Sequence, residues 1–117
     1  MSFIRLEGPQ FKTPPCVSKA ARDFARGQTC TLRLDCCNHD TSTPVLAHLR
    51  FFGWAGVAQK PHDFLAVLAC SACHDAIDRR NNCDTALWEF EDLLRALGET
   101  QSRLYAAGLL TLKGSRT

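Results

Sequence analysis

No stretch of this 117-residue chain is long and apolar enough to cross a bilayer. Its opening residues, Met1-Ser2-Phe3-Ile4-Arg5, lack the apolar core of a secretory signal. A cytoplasmic protein in a reducing compartment is therefore expected. No internal repeat or low-complexity tract is present. Charge of either sign is scarce in excess: the formal net charge is only +2. The first 83 residues carry 10 Lys/Arg against 7 Asp/Glu, and the remainder 4 against 5. A polyanion partner gets weak support from charge alone. The single methionine is Met1. With no export signal and no methionine beyond Met1 to serve as second axial ligand, covalent haem is not expected, although Cys70 to His74 spells its CxxCH attachment motif.

Cysteine, by contrast, is abundant: there are seven. An odd number argues against a closed disulfide framework, and a reducing compartment turns the reading toward metal ligands plus spare thiols. Cys70-Ser71-Ala72-Cys73 supplies half of a tetrahedral zinc site. Cys30 with Cys37, or with Cys36, supplies the other half, leaving Cys16 and Cys83 spare. The spacing alone does not choose between Cys36 and Cys37. A structural zinc is valuable to so small a chain: at 13.0 kDa one modest core is all it can bury. Zinc sites of this kind supply about 10–16 kcal/mol of apparent binding energy.

Immediately after the CxxC pair, His74 and Asp78 stand four residues apart. On a helix they share one face and can hold a second cation. The same eleven residues end in Arg79-Arg80, suited to phosphate contact or to countering the helix dipole.

Along the chain, residues 1–17 read as a flexible arm with Pro9, Pro14 and Pro15. Residues 18–117 read as one domain, with a core over 29–83 and helices over 84–108. Ser18 caps a short helix to about Arg26, stopped by Gly27, with Lys19, Arg22 and Arg26 giving it a basic side. Thr29–Leu34 alternates as a short strand, Pro44–Phe51 as a second, and Phe64–Ala69 as a further short apolar run before the Cys70 helix. Leu87, Trp88, Phe90, Leu93, Leu94 and Leu97 predict a helix ending at Gly98. A second helix follows from Glu99 or Thr100 to Gly108, and Leu109–Lys113 is expected as a last strand. His39 and His62 fall in loops and are expected to be solvated.

These elements resemble the HNH, or ββα-metal, nucleases with zinc knuckles, and most closely the YbcO-like prophage nucleases. The resemblance rests on Arg26-Gly27, Cys30, Cys37-Asn38, Val45-Leu46-Ala47-His48, Lys60-Pro61, Asp63 and Cys70 through Arg80, and covers about residues 18–113. It implies a small α+β fold with a zinc-stapled, treble-clef-like ββα-metal core, and it favours Cys37 over Cys36 beside Cys30, Cys70 and Cys73. It further implies a metal-dependent DNA endonuclease of phage or prophage origin, acting in the bacterial cytoplasm. His48 would be the general base, since an imidazole exchanges its proton near neutral pH. Asp63 would orient it, and His74 and Asp78 would hold a catalytic Mg²⁺ or Mn²⁺. Arg50, Lys60, Arg79 and Arg80 would hold the DNA backbone. Many such enzymes carry an Asp or His just before the base where this chain has Ala47, which leaves that ion two protein ligands, with Asp75 as a candidate helper. Recombination intermediates are the substrate class the family suggests. Two readings stand beside this one: a non-catalytic zinc module that binds DNA or a phage protein, and a thiol redox sensor using Cys36, Cys37 and Cys83.

Overall fold

A computed structural model describes residues 14–50, 61–78 and 88–115. The elements run α1 (Lys19–Phe24), β1 (Val45–His48), β2 (Ala66–Ala69), α2 (Ser71–Asp78) and α3 (Phe90–Ala106). The result is a small α+β fold built on a two-stranded antiparallel sheet, in which Val45 pairs with Ala69 and His48 with Ala66. Among the described residues, no helix is long and apolar enough to cross a membrane.

The sheet is covered on both faces, which is why its strands read as apolar runs rather than as clean alternations. On one face Leu46, Ala66 and Leu68 pack with Ala21 and Ala25 near α1 and with Leu104 of α3. On the other, Ala47, Val67 and Ala69 join Leu32, Leu34, Ile77, Leu93 and the buried Cys30, Cys70 and Cys73.

The N-terminal helix follows its sequence signals. Ser18 accepts a hydrogen bond from the Ala21 amide, and Gly27 takes φ +94°, a left-handed conformation that favours glycine. The expected arm is tied down at residue 16: the Cys16 amide donates to His62 Nδ1 at 3.0 Å, and the Asp63 amide donates to the Cys16 carbonyl. His62 is consequently buried at 2% exposure and stacked on Phe64, not solvated as its loop position suggested.

Three expected elements are corrected. Thr29–Leu34 is not a strand. Arg33 sits at φ +48°, which breaks the pleat and turns the chain into the cysteine knuckle. This segment still lies along the outer edge of β2: the Leu68 carbonyl accepts from the Thr31 amide and hydroxyl, and the Leu68 amide donates to Thr100 Oγ1 at 2.9 Å. The two C-terminal helices are one. α3 runs straight through Gly98 because Leu93, Ala96, Thr100 and Leu104 keep a single buried stripe across it, and that burial outweighs glycine's cost of about 1 kcal/mol. Glu89 and Asp92 form a reciprocal capping box at its start. Leu109–Lys113 is not a strand either. Gly108, at φ +75°, closes α3 with Gly108 N–H donating to the Tyr105 carbonyl and Leu109 N–H to the Leu104 carbonyl. Leu109 and Leu110 then fold back onto the core.

Candidate metal centre and active-site cleft

The sulfurs of Cys30, Cys37, Cys70 and Cys73 all lie within 4.8 Å of one another. A tetrahedral zinc with bonds of about 2.3 Å needs sulfur–sulfur edges of about 3.8 Å, and Cys37 and Cys70 are 3.8 Å apart. The Cys73 amide donates to Cys70 Sγ at 3.4 Å. Hydrogen bonding from Cys73 outweighs burial at Cys30; with help from the amides of Arg33, Cys70 and Leu32, it brings that thiol down to about 4. Burial, followed by the charge of Cys30, pushes Cys37 up to about 11. Cys73 is also raised, first by its bond to Cys30 and then by burial. Sulfurs that oppose one another's ionisation are relieved by a divalent cation, so this donor set fits zinc. Cys36 is not part of the group: its Sγ approaches the Ala72 carbonyl at 3.7 Å. Cys37 therefore fills the position that the spacing left open. Cys83 lies outside the described residues.

Helix α3 braces the segment that carries Cys30. Arg95 donates to the carbonyls of Thr31 and Leu32, Arg103 donates to that of Thr29, and Arg33 forms a two-armed pair with Glu99 at 2.8 and 2.9 Å. Nothing in the residue pattern marks these contacts, because arginines on an amphipathic helix ordinarily read as a solvated face.

A second constellation gathers around His48. His48 ends β1, and its Nε2 is 2.7 Å from Asp63 Oδ1. Asp63 is only 2% exposed. It also accepts from the Ser18 amide at 2.6 Å and from Arg22 Nε and Nη2 at 3.0–3.1 Å. Burial opposes its ionisation, but the hydrogen bonds from Arg22, Ser18 and His48 prevail and hold the carboxyl below the usual range. An ionised Asp63 can only accept, so a neutral His48 carries its proton on Nε2 and its lone pair on Nδ1.

On α2, His74 Nε2 and Asp78 Oδ2 are 3.0 Å apart, the one-turn pairing that their spacing predicts. Leu46, His48, Arg50, His74 and Asp78 line a single cleft of about 210 Å³. The geometry thus brings His48, Asp63, His74, Asp78 and Arg50 together. Lys60, Arg79 and Arg80 lie outside the described residues. Ala47 faces away from the cleft and is wholly buried. Asp75 is not among the residues lining the cleft. Sequence reasoning missed Arg22 as the partner of Asp63. Its only signal was membership of a basic helix side, which said nothing about a carboxylate 41 residues away.

The family model described as "Putative nuclease YbcO" matches residues 19–109. Two curated relatives, "Putative nuclease YbcO" of Escherichia coli (strain K12) and "Putative nuclease ybcO" of Enterobacteria phage 82, are each 44% identical over 81 residues. The match spans 68% of this chain and 84% of each relative. A solved structure titled "Structure of a putative bacteriophage protein from Escherichia coli str. K-12 substr. MG1655" superimposes with a TM-score of 0.58 at 35% identity. That superposition covers 76% of this chain and all of the other.

Proposed function

Since the chain belongs to the family described as "Putative nuclease YbcO", we propose that it is a metal-dependent DNA endonuclease of the HNH type, with β1, β2 and α2 as its ββα-metal core. The observation that carries this reading is the shared cleft: an imidazole bonded to a buried carboxylate faces a histidine–aspartate pair on α2. In the reaction, Nδ1 of His48 takes a proton from the attacking water, and Asp63 holds the resulting imidazolium through Nε2. A Mg²⁺ or Mn²⁺ ion held by His74 and Asp78 would supply charge stabilisation at the phosphate and the departing oxygen. Arg50 supplies charge for the DNA backbone at the cleft, without reading sequence. Cys30, Cys37, Cys70 and Cys73 would hold a structural zinc, and through Cys70 and Cys73 that ion would pin the first turn of α2, and with it His74. Phage or prophage origin, with recombination intermediates as substrate, is the biological setting this reading favours.

The test is nicking of supercoiled plasmid in Mg²⁺ or Mn²⁺ by wild type and His48→Ala, with zinc content measured on both. Wild type nicks; His48→Ala loses about 10²-fold or more while retaining its zinc. Undiminished nicking by His48→Ala overturns the reading. So does salt-dependent DNA retention with no cleavage under either metal, which is the behaviour of a non-catalytic zinc module.

A further inference from the structure

Asp63 presents an electrostatic problem that His48 cannot solve alone. A carboxylate this deeply buried needs a counter-charge. A neutral imidazole offers one hydrogen bond and no charge, so with His48 as its only partner the carboxylate would lack a counter-charge and be free to turn, and the ring with it. The counter-charge comes instead from α1. Arg22 spends both Nε and Nη2 on Asp63, reaching Oδ1 and Oδ2 in the fork geometry that guanidinium and carboxylate share. The ordinary role for an arginine in the last turn of a helix, interaction with that helix's own terminal carbonyls, does not account for two donors aimed at a residue 41 positions away. The Ser18 amide holds Oδ2 from the same segment. The carboxylate is therefore fixed from one side by α1 and its cap residue, and His48 takes a remaining acceptor site on Oδ1. Among the described residues, the other charged or titratable groups lining the cleft with His48 are Arg50, just beyond β1, and His74 and Asp78 on α2.

We propose that Arg22 is a positioning residue for His48: by holding Asp63 as a fixed anion, it locks the imidazole ring and keeps the proton on Nε2. The kinetic consequence rests on the nuclease reading above; the structural consequence can be measured without it.

The experiment uses the full-length, zinc-loaded protein and compares wild type, Arg22→Gln and Arg22→Lys. The first readout is the Hε2 proton of His48 by NMR, assigned by its loss in His48→Ala. Bonded to a buried carboxylate, it is expected downfield and slow to exchange. In Arg22→Gln this signal broadens into solvent exchange. In Arg22→Lys, which keeps the charge but not the fork, it is intermediate. The second readout is nicking kinetics: kcat falls by about 10²-fold in Arg22→Gln with KM little changed, and Arg22→Lys recovers part of the loss. Unchanged zinc content and melting cooperativity certify the fold. If Arg22→Gln does not fold, Arg22→Lys alone carries the comparison. A protected Hε2 that survives both substitutions, or its absence from wild type, overturns the proposal. A wild type that shows the protected proton, responds to Arg22 and yet never cleaves DNA overturns the nuclease reading and leaves the positioning role standing.

Discussion

Ala47 and His48 are neighbours on β1 that face opposite sides of the sheet. Ala47 is wholly buried beside Val67 and the cysteine cluster, while His48 reaches the cleft and Asp63. Residue 47 is thus a core position here. Ala47→Asp is expected to destabilise the fold by about 3 kcal/mol or more, the cost of an unpaired buried carboxylate, and to add no metal affinity at the cleft. Urea denaturation with parallel Mn²⁺ titration checks both halves.

The cysteine set makes a sharper demand. Binding energy of about 10–16 kcal/mol for structural zinc equals or exceeds the stability of an ordinary domain, about 5–15 kcal/mol. Removing zinc with a strong chelator should unfold the chain at 37 °C, seen as loss of far-ultraviolet ellipticity. Metal analysis should give one zinc per chain. Cys30→Ser, Cys37→Ser, Cys70→Ser or Cys73→Ser should lose it, and Cys36→Ser should keep it.

Asp63 sets an acid limit. Its carboxyl lies below the ordinary value because the bonds from Arg22, Ser18 and His48 outweigh burial. Its contribution to stability is complete above the unfolded-state value of about 3.9 and is lost as the pH falls through the lowered folded value. Melting curves of wild type and Asp63→Asn should therefore differ at pH 6 and converge as the pH is taken below about 4. Acid release of zinc is common to both proteins, so the difference isolates Asp63.

Thr100 is a buried hydroxyl remote from the cleft that accepts the Leu68 amide. Thr100→Val orphans that amide and should cost about 1–3 kcal/mol in chemical denaturation, without altering nicking per folded molecule.

Gly98 gives the opposite sign. It is exposed within α3, and a Cβ there would meet nothing within 4 Å. Gly98→Ala should stabilise the protein by about 0.5–1 kcal/mol, measured as a raised melting temperature.

What could be foreseen from the residues was local. Ser18 and Gly27 bound their helix as capping chemistry requires, and the four-residue step from His74 to Asp78 put both on one helix face. The CxxC pair gathered with Cys30 and Cys37 from far upstream into one sulfur cluster. What could not be foreseen depended on tertiary partners. Gly98 looked like a stop signal because a glycine's helix cost is visible in sequence, whereas the buried stripe that outweighs it is not. Thr29–Leu34 had the alternation of a strand, but sulfur-directed amides and the left-handed Arg33 bend it into a knuckle. His62 looked solvated until residue 16 returned to cover it. The bond from Arg22 to Asp63 spans two elements and leaves no periodic trace.

The outer margin of β2 carries a last consequence. Leu68 gives its amide to Thr100 and its carbonyl to Thr31, so the backbone groups through which another chain would zip onto the sheet at that point are already spent. Growth of this two-stranded ribbon into an intermolecular stack past Leu68 requires α3 to lift away first. Resistance to aggregation should then track the docking of that helix rather than the number of strands.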